Sequence, residues 1–530
     1  MPAPLSFAGT PASVGYAEGP LFSLDRSAGA YVAKGSEKGE RAALEAALAG
    51  ASARLESLIG EAADDAAEML EFQLAMLQDE ALTGPAFAAI EEGAQADDAW
   101  GACLEDEIAG YETAEDGYFR ARAADLKDIR DQVLHHLTPH GAAALPAGAI
   151  AFGDDMAPTR FLEIDWSQGG GIALSAGSAA SHVAMLARAR GVPMVVGLGV
   201  GLETNGDPVL LDGENGRLVL DPSDQEREAF RARSAAFAER RASAEGYLGR
   251  PAATACGTAV RVMVNIADPS EVDRIDASHC DGVGLMRTEF LFGGARGLPE
   301  EETQYEAYRR VLSWAGDRPV TIRTVDAGGD KPVSGLTQAE SNPFLGLRGV
   351  RLSLARPDVF RVQIRALLRA GAHGSLKVML PMVSVPEEVA RARALFAEEA
   401  ARLEAEGVAH AVPPLGIMVE VPSVAVMPES FLDAAFFSIG SNDLTQYVMA
   451  AARDNASVAA LSAASQPAVL RLIAELARFA AARGMPLSLC GDAGGDPTII
   501  PLLLKAGLRE LSVAPAQLAL AKAAIATTAL

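Results

Sequence analysis

Cysteine is scarce in this chain. Cys103, Cys256, Cys280 and Cys490 are spread across 530 residues without a CxxC pair. Such spacing excludes a disulfide framework and a thiolate zinc cage, and a reducing cytoplasm is the expected location. Long apolar runs are missing too. No stretch reaches the roughly 18 apolar residues of a membrane-spanning helix. The first residues, Met1 to Ala12, show no basic segment followed by an apolar one, so no signal peptide is expected. Positive charge is in short supply: 45 Lys and Arg stand against 70 Asp and Glu, a net charge of −25. An acidic surface repels nucleic acid and anionic membrane, and a nucleic-acid or membrane partner is excluded on that ground. It also sets a condition. If the substrate is an anion, its cationic ligands must be gathered in one place.

What is present separates into regions. The length is too great for one domain. Residues 1–22 hold Gly9, Gly15 and Gly19 among apolar residues and read as strand and turn. Residues 23–145 are rich in Ala, Leu, Glu and Arg with helical periodicity, as in ALEAALAGASARLESLIG, and predict a helical bundle. Residues 146–221 change to short apolar runs cut by Gly and Asp (AIAFGDD, GGGIALS, PMVVGLG), with one helix at HVAMLARARG. Segments 1–22 and 146–221 therefore form one α/β domain into which the bundle is inserted. Residues 222–250 are charged and helical, a linker helix. Residues 251–530 alternate β-type runs with helical stretches: MVNI, VGLMRTEF, VTIRTVD, KVMLPMV, GIMVEVP, FFSIGSND, LSLCGD and ELSV. Eight βα units predict a (β/α)8 TIM barrel.

Catalysis in such a barrel comes from the C-terminal strand ends. In order these are Asn265, Arg287 with Glu289, Arg323 with Asp326, Met382, Glu420, Asn442 with Asp443, and Cys490 with Asp492. Arg348 and Arg351 lie in NPFLGLRGVRL, and Arg453 follows Asp443 closely. Arginine suits a bidentate grip on phosphate and carboxylate, so the scarce positive charge is focused where an anion would bind. Glu420 and Asp443 end adjacent strands, and paired hard oxygen ligands suit Mg²⁺ held together with substrate oxygens. Any one of these side chains alone reads equally as a surface ion pair; the series at successive strand ends points to a site.

Six of the seven histidines have bland readings: His135, His136 and His140 at a helix end, and His279, His373 and His410 in turns or loops. His182 lies in GSAASHVAMLARARG, after a Gly/Ser turn and at the start of a helix. Free N–H groups and the dipole there would stabilise a phosphate on the imidazole, with Ser178 and Ser181 as further donors or caps. A capping turn with an incidental histidine fits the local sequence as well. Cys490 is similarly open, either a proton donor or a small buried hydrophobe.

The stretches GVGLMRTEFLF, TIRTVDAGGDKP, NPFLGLRGVR, GIMVEVPS, SIGSNDLTQY and LCGDAGGD, with GSAASHVAMLARARGVPMVVG and YFRARAADLKDIRDQVL, are similar to those of one family. The chain resembles the Enzyme I family of the bacterial phosphotransferase system, the phosphoenolpyruvate-protein phosphotransferases, over nearly its whole length. The resemblance implies a phosphohistidine α/β domain, a helical domain that receives the carrier protein HPr, and a barrel that binds phosphoenolpyruvate (PEP). It implies His182 as the phosphorylated nucleophile, attacking through Nε2, and Cys490 as the proton donor to the enolpyruvate carbon. It implies Arg287, Arg323, Asn442, Asp443 and Arg453 as substrate ligands, and Glu420 and Asp443 as Mg²⁺ ligands. Transfer of phosphate to HPr at the head of sugar uptake is the implied role, with a regulatory phosphorelay of the nitrogen-related branch as the alternative. A homodimer through the barrel is implied as well. Apolar residues Leu70, Phe72, Met76 and Leu77 are candidates either for the HPr surface or for bundle core. The chain departs from the family pattern at Ala180 and Val183, which flank the Ser-His pair where threonine is usual, and at Asp492, where glutamate is usual.

Overall fold

Two stretches of the chain with different periodicities build two units, Met1–Ala238 and Glu239–Leu530. The computed structural model describes the chain except residues 1–4, 25–30, 62–63, 113–116, 139–144, 178–180, 200–207, 293–296, 330–332, 334, 339, 453–457, 459–460 and 462. The side chains of residues 60–61, 64–69, 72, 106, 111–112, 117–124, 182 and 189 are likewise not described.

In the first unit, strands β1 (Leu5–Ala8), β2 (Thr10–Ser13) and β3 (Tyr16–Ser23) precede five helices: α1 (Glu37–Glu61), α2 (Asp64–Leu77), α3 (Glu80–Glu91), α4 (Ala96–Glu112) and α5 (Gly117–Leu137). The chain then passes through β4 (Ile150–Gly153), α6 (Pro158–Glu163), β5 (Gly171–Leu174), α7 (His182–Arg190) and β6 (Met194–Val196). It closes with β7 (Pro208–Asp212), β8 (Arg217–Leu220) and α8 (Asp224–Glu245). The sheet order is β1-β8-β7-β3-β4-β5-β6-β2. β3 pairs in parallel with β4, so the five helices are an excursion between two neighbouring strands. β4 and β5 are buried at every position, as parallel strands covered on both faces should be, and this is why they read as unbroken apolar runs.

The helical excursion has its own core around Leu44, Leu55, Leu70, Trp100, Leu104 and Ile129. Leu70 and Leu77 both belong to it and Met76 packs against it. Of the four candidates for a partner surface, the two leucines are therefore interior; the Phe72 side chain lies outside the described residues. Buried Asp128 joins α5 to the sheet domain: it accepts hydrogen bonds from Thr159 at the start of α6, from Gln73 at 3.1 Å and from Gln132 at 3.1 Å. Burial pushes its carboxyl above the usual range. The first half of α8 is held on β3, where Glu18 accepts from Arg231 at 2.8 Å and from Arg227 at 3.2 Å, and Phe230 meets Tyr16 edge-on at 5.3 Å.

In the second unit, strands β9 (Arg261–Ile266), β10 (Val283–Met286), β11 (Val320–Arg323), β12 (Leu376–Leu380), β13 (Leu415–Val419), β14 (Phe437–Gly440), β15 (Leu487–Cys490) and β16 (Glu510–Val513) form a closed barrel. Every neighbouring pair is parallel, and β16 closes onto β9. Alternation sorts the side chains. Val264, Ile322, Val378, Ile417, Phe437, Ile439, Leu489 and Leu511 join the large core under the surrounding helices. Leu285, Met379, Met418, Phe436 and Cys490 form a separate small cluster. The predicted α/β class, with an eight-stranded barrel and an inserted helical bundle, is the fold observed. Among the described residues no helix is long and apolar enough to cross a membrane.

Candidate active site

Each barrel strand hands its last residues to a loop at the C-terminal mouth. Arg323 ends β11 and is buried. Its Nη2 donates to Glu289 at 2.9 Å, and its Nη1 lies 3.1 Å from Asp326. Its Nε is buried without a hydrogen-bond partner among the described residues. Arg348, reached through the loop after β11, is completely buried. It grips Asp326 in bidentate fashion, at 3.0 Å from Nε and 3.0 Å from Nη2, and donates to both oxygens of Asp443 at 3.1 and 3.4 Å. Burial alone would lower the pKa of either guanidinium. Glu289, Asp326 and Glu420 around Arg323, and Asp326, Asp443 and Glu420 around Arg348, outweigh it, and both are held firmly cationic.

Glu420 follows β13 directly and is buried. One carboxylate oxygen accepts the Met382 N–H at 2.6 Å. Met382 itself holds φ at 57°, a left-handed conformation costing about 1–2 kcal/mol for a residue with a Cβ. The Glu420 contact thus fixes a strained turn at the mouth. The other carboxylate oxygen faces Gly440, where a methyl group would stand 2.8 Å away. Burial first, and then repulsion from Asp443 and Asp326, push the Glu420 acid up to about 8. Asp443 lies in the first turn of the helix Ser441–Met449, directly after β14.

This surplus of buried carboxylate is the observation that bears on a metal. Among the described residues no group of three or more His, Cys, Asp or Glu side chains gathers as a cage. Two buried carboxylates at one strand-end mouth are instead a donor set of the kind Mg²⁺ uses when it keeps waters and shares phosphate oxygens. Glu420 and Asp443 fit such an ion, which would relieve the repulsion that raises Glu420.

Asn442 is oriented from both ends. Its Nδ2 donates to Asp492 at 3.1 Å, and its Oδ1 accepts the Asp492 N–H at 3.2 Å. The shorter acid in the CGD sequence therefore reaches Asn442. Cys490 ends β15 and is buried, with its thiol pushed up to about 11 by burial above all. It is a thiol rather than a thiolate at neutral pH. Arg287, one residue past β10, is half-buried, and its side chain has no hydrogen bond among the described residues. Arg453 lies outside the described residues.

The structure so brings together Arg323, Glu420, Asp443 and, through them, Glu289, Asp326 and Arg348. Sequence reasoning had put those last three at the mouth without giving them a role; their motifs TEF, TVD and LRGVR were the available signal. Two other mouth candidates are occupied elsewhere. Asn265 exchanges hydrogen bonds with Ser512 at 2.6 and 3.2 Å, and Arg351 donates to Ser384 at 2.5 Å.

His182 belongs to the first unit. It is the first residue of α7, whose N-cap Ser181 accepts the Ala184 N–H at 3.2 Å. Gly191 ends the helix in the left-handed conformation, at φ 67°. The His182 side chain, Ser178 and Ala180 are outside what the structure describes. Val183 is buried in the core against Phe161 and Ala187; the missing hydroxyl at that position is thus a packing feature. Of the other histidines, His135, His136 and His410 bond backbone carbonyls, and His373 meets the Tyr305 hydroxyl at 2.8 Å.

Comparison with known proteins follows this division. The family model for the PEP-utilising enzyme, PEP-binding domain, matches residues 241–530. The N-terminal model of the same enzymes matches residues 8–122, and their mobile domain matches 145–216. The chain is 36% identical over 504 residues to a phosphoenolpyruvate-protein phosphotransferase of Priestia megaterium, covering 92% of this chain and 87% of that one. It is 37% identical over 501 residues to the protein of that name from Geobacillus stearothermophilus, covering 91% and 86%. It is 39% identical over 500 residues to that from Haloferax volcanii, covering 92% and 86%.

Proposed function

The chain belongs to the PEP-utilising enzyme family, among the phosphoenolpyruvate-protein phosphotransferases, and from that premise we infer that it moves the phosphoryl group of PEP onto its own His182 and then onto a histidine of HPr. The observation that carries the first half is the barrel mouth: two buried arginines locked by carboxylates, one whose Nε has no partner among the described residues, beside a buried thiol. That is a rigid anion site with an acid in it.

The chemistry asks little covalent work of the protein. Phosphoryl transfer passes through a loose transition state, so catalysis is positioning and charge neutralisation. Arg323, whose Nε has no partner among the described residues, and Arg287 grip the phosphate and carboxylate of PEP, with Arg453 as a third cation. Arg348 holds Asp443 in place from behind. Asn442, pinned by Asp492, orients the substrate from the β14 end. The P–O bond of PEP breaks as a P–N bond forms at Nε2 of His182, a neutral imidazole needing no strong base. The enolate left behind takes a proton on carbon from Cys490, a thiol kept protonated by burial. Mg²⁺ on Glu420 and Asp443 would supply positive charge at the phosphate oxygens.

The same reading gives residues 23–145 to HPr. Leu70 and Leu77 are spent on the bundle core, so other residues build that surface. The linker helix within 222–250 carries the pivot between loading at the barrel and unloading at the carrier. The assembly is a homodimer through the barrel, for which exposed Val426, Met427 and Leu432 offer apolar surface. Arg323→Ala tests the division of labour. Loading of His182 from PEP should fall by at least about 100-fold, while back-transfer from phosphorylated HPr should persist. Equal loss of both would refute the assignment of PEP binding to the barrel.

A further inference from the structure

A buried acid that protonates carbon gives up its proton once per turnover and must recover it. Cys490 is 1% exposed and is walled by Leu285, Met379, Met418 and Phe436. The residues that reach its sulfur from inside the barrel are therefore of interest. Alternation turns Ser438 and Gly440 of β14, and Ser488 and Cys490 of β15, toward the barrel axis, and the register sets Ser438 opposite Ser488 and Gly440 opposite Cys490. The Ser488 hydroxyl donates to Ser438 Oγ at 2.9 Å, and the Ser438 hydroxyl donates to Cys490 Sγ at 3.4 Å. Both hydrogens point toward sulfur, which is the polarity a delivery chain needs. Sulfur is a weak acceptor, and a buried serine that only needed a partner would do better on a strand carbonyl.

Exposure rises in the opposite direction, away from sulfur, from 0% at Ser438 to 8% at Ser488. The pairing of Leu489 with Leu511 sets Ser488 level with Glu510, near the N-terminal end of the barrel, where Glu510 and Arg261 form a partly exposed ion pair at 3.0 Å. The outer end of the chain thus lies toward solvent on the face opposite the substrate mouth.

We propose that Ser488 and Ser438 form a hydroxyl relay that returns a proton to Cys490 through the inside of the barrel, and so act as positioning residues for the protonation step. The proposal rests on the reading of Cys490 as the proton donor. Its balance is simple. A C–H bond forms at the enolate carbon as the S–H bond breaks. The thiolate takes the Ser438 hydroxyl proton, Ser438 takes that of Ser488, and Ser488 takes one from a water entering from the N-terminal end of the barrel. One solvent proton is consumed and nothing is oxidised or reduced.

The test uses the full chain, phosphorylated and incubated with Mg²⁺, PEP and pyruvate labelled with ¹⁴C in its carboxyl and ³H in its methyl group. Passage of ¹⁴C into PEP reports reversible phosphoryl transfer; release of ³H into water reports exchange of the thiol proton with solvent. Ser438→Ala and Ser488→Ala should lower the ratio of ³H release to ¹⁴C exchange by at least about tenfold, because the abstracted hydrogen returns to the carbon it left. Ser488→Thr, which keeps the hydroxyl, should restore the ratio. A ratio is unaffected by a misfolded fraction, so an unchanged value in both alanine variants overturns the relay. Cys490→Ala separates the two claims: both rates should vanish, and ³H release that persists there refutes Cys490 as the donor, independently of the serines.

Discussion

Replacing Arg348 with Met would remove the cation on which the barrel mouth balances while keeping most of its aliphatic volume. Arg348 is wholly buried and donates to Asp326 at 3.0 and 3.0 Å and to Asp443 at 3.1 and 3.4 Å. Without it, buried Asp326, Glu420 and Asp443 face Arg323 as their remaining fully buried cation. Deleting one partner of a buried charge network costs about 3–5 kcal/mol, because the other partners stay desolvated. A single pair at contact, with an effective dielectric of about 20, comes to about 4 kcal/mol, in agreement. In a unit of this size each kcal/mol moves the melting temperature by roughly 2 °C, so the variant should melt about 6–10 °C lower at neutral pH. The pH dependence has a definite sign. Glu420 is already pushed from 4.5 up to about 8, with Arg348 among the groups that hold it down, and losing Arg348 raises it further. An acid raised in the folded state contributes stability that is present below its unfolded pKa and is lost as pH rises through its folded pKa. The difference between variant and parent should therefore be small near pH 4.5 and widen toward pH 8. Scanning calorimetry of the full chain at both pH values measures it. A gap below about 1 kcal/mol, or one that is constant with pH, would refute the charge-balance argument.

Other predictions follow from the same mouth. Without divalent cation, the parent protein should lose stability as pH rises from 4.5 toward 8; Glu420→Gln should flatten that slope, and millimolar Mg²⁺ should stabilise the parent but not the variant in thermal melts. Asp492→Ala removes the carboxylate that accepts from Asn442 Nδ2 while keeping the backbone N–H that donates to its Oδ1, and should lower kcat/KM for PEP by about 10-fold, with melting temperature nearly unchanged; unaltered kinetics would show that Asn442 needs no such support.

Much of this arrangement was legible in the chain itself. The eight barrel strands appear in order as short apolar runs because a strand covered on both faces has no polar alternation to confuse it. The mouth residues were legible because strand ends are where a barrel presents its chemistry. What sequence could not supply was pairing across distance. Arg348 meets Asp326 and Asp443 only because separate loops fold together, and no local pattern distinguishes an arginine that holds carboxylates from one that waits for substrate. The same limit applies to Leu70 and Leu77, since a helical apolar stripe looks alike whether it faces a core or a partner. Val183 shows the same limit: its place beside His182 in sequence says nothing of which way it points, and the helix turns it into the core.

The central claim is that the phosphoryl group of PEP comes to rest on His182. Full-length protein incubated with labelled PEP and Mg²⁺, then digested and sequenced by mass spectrometry, should yield one acid-labile phosphopeptide containing residues 181–190, and His182→Ala should abolish the label while leaving the fold intact. Label that survives the substitution, or that maps to another residue, would contradict the account.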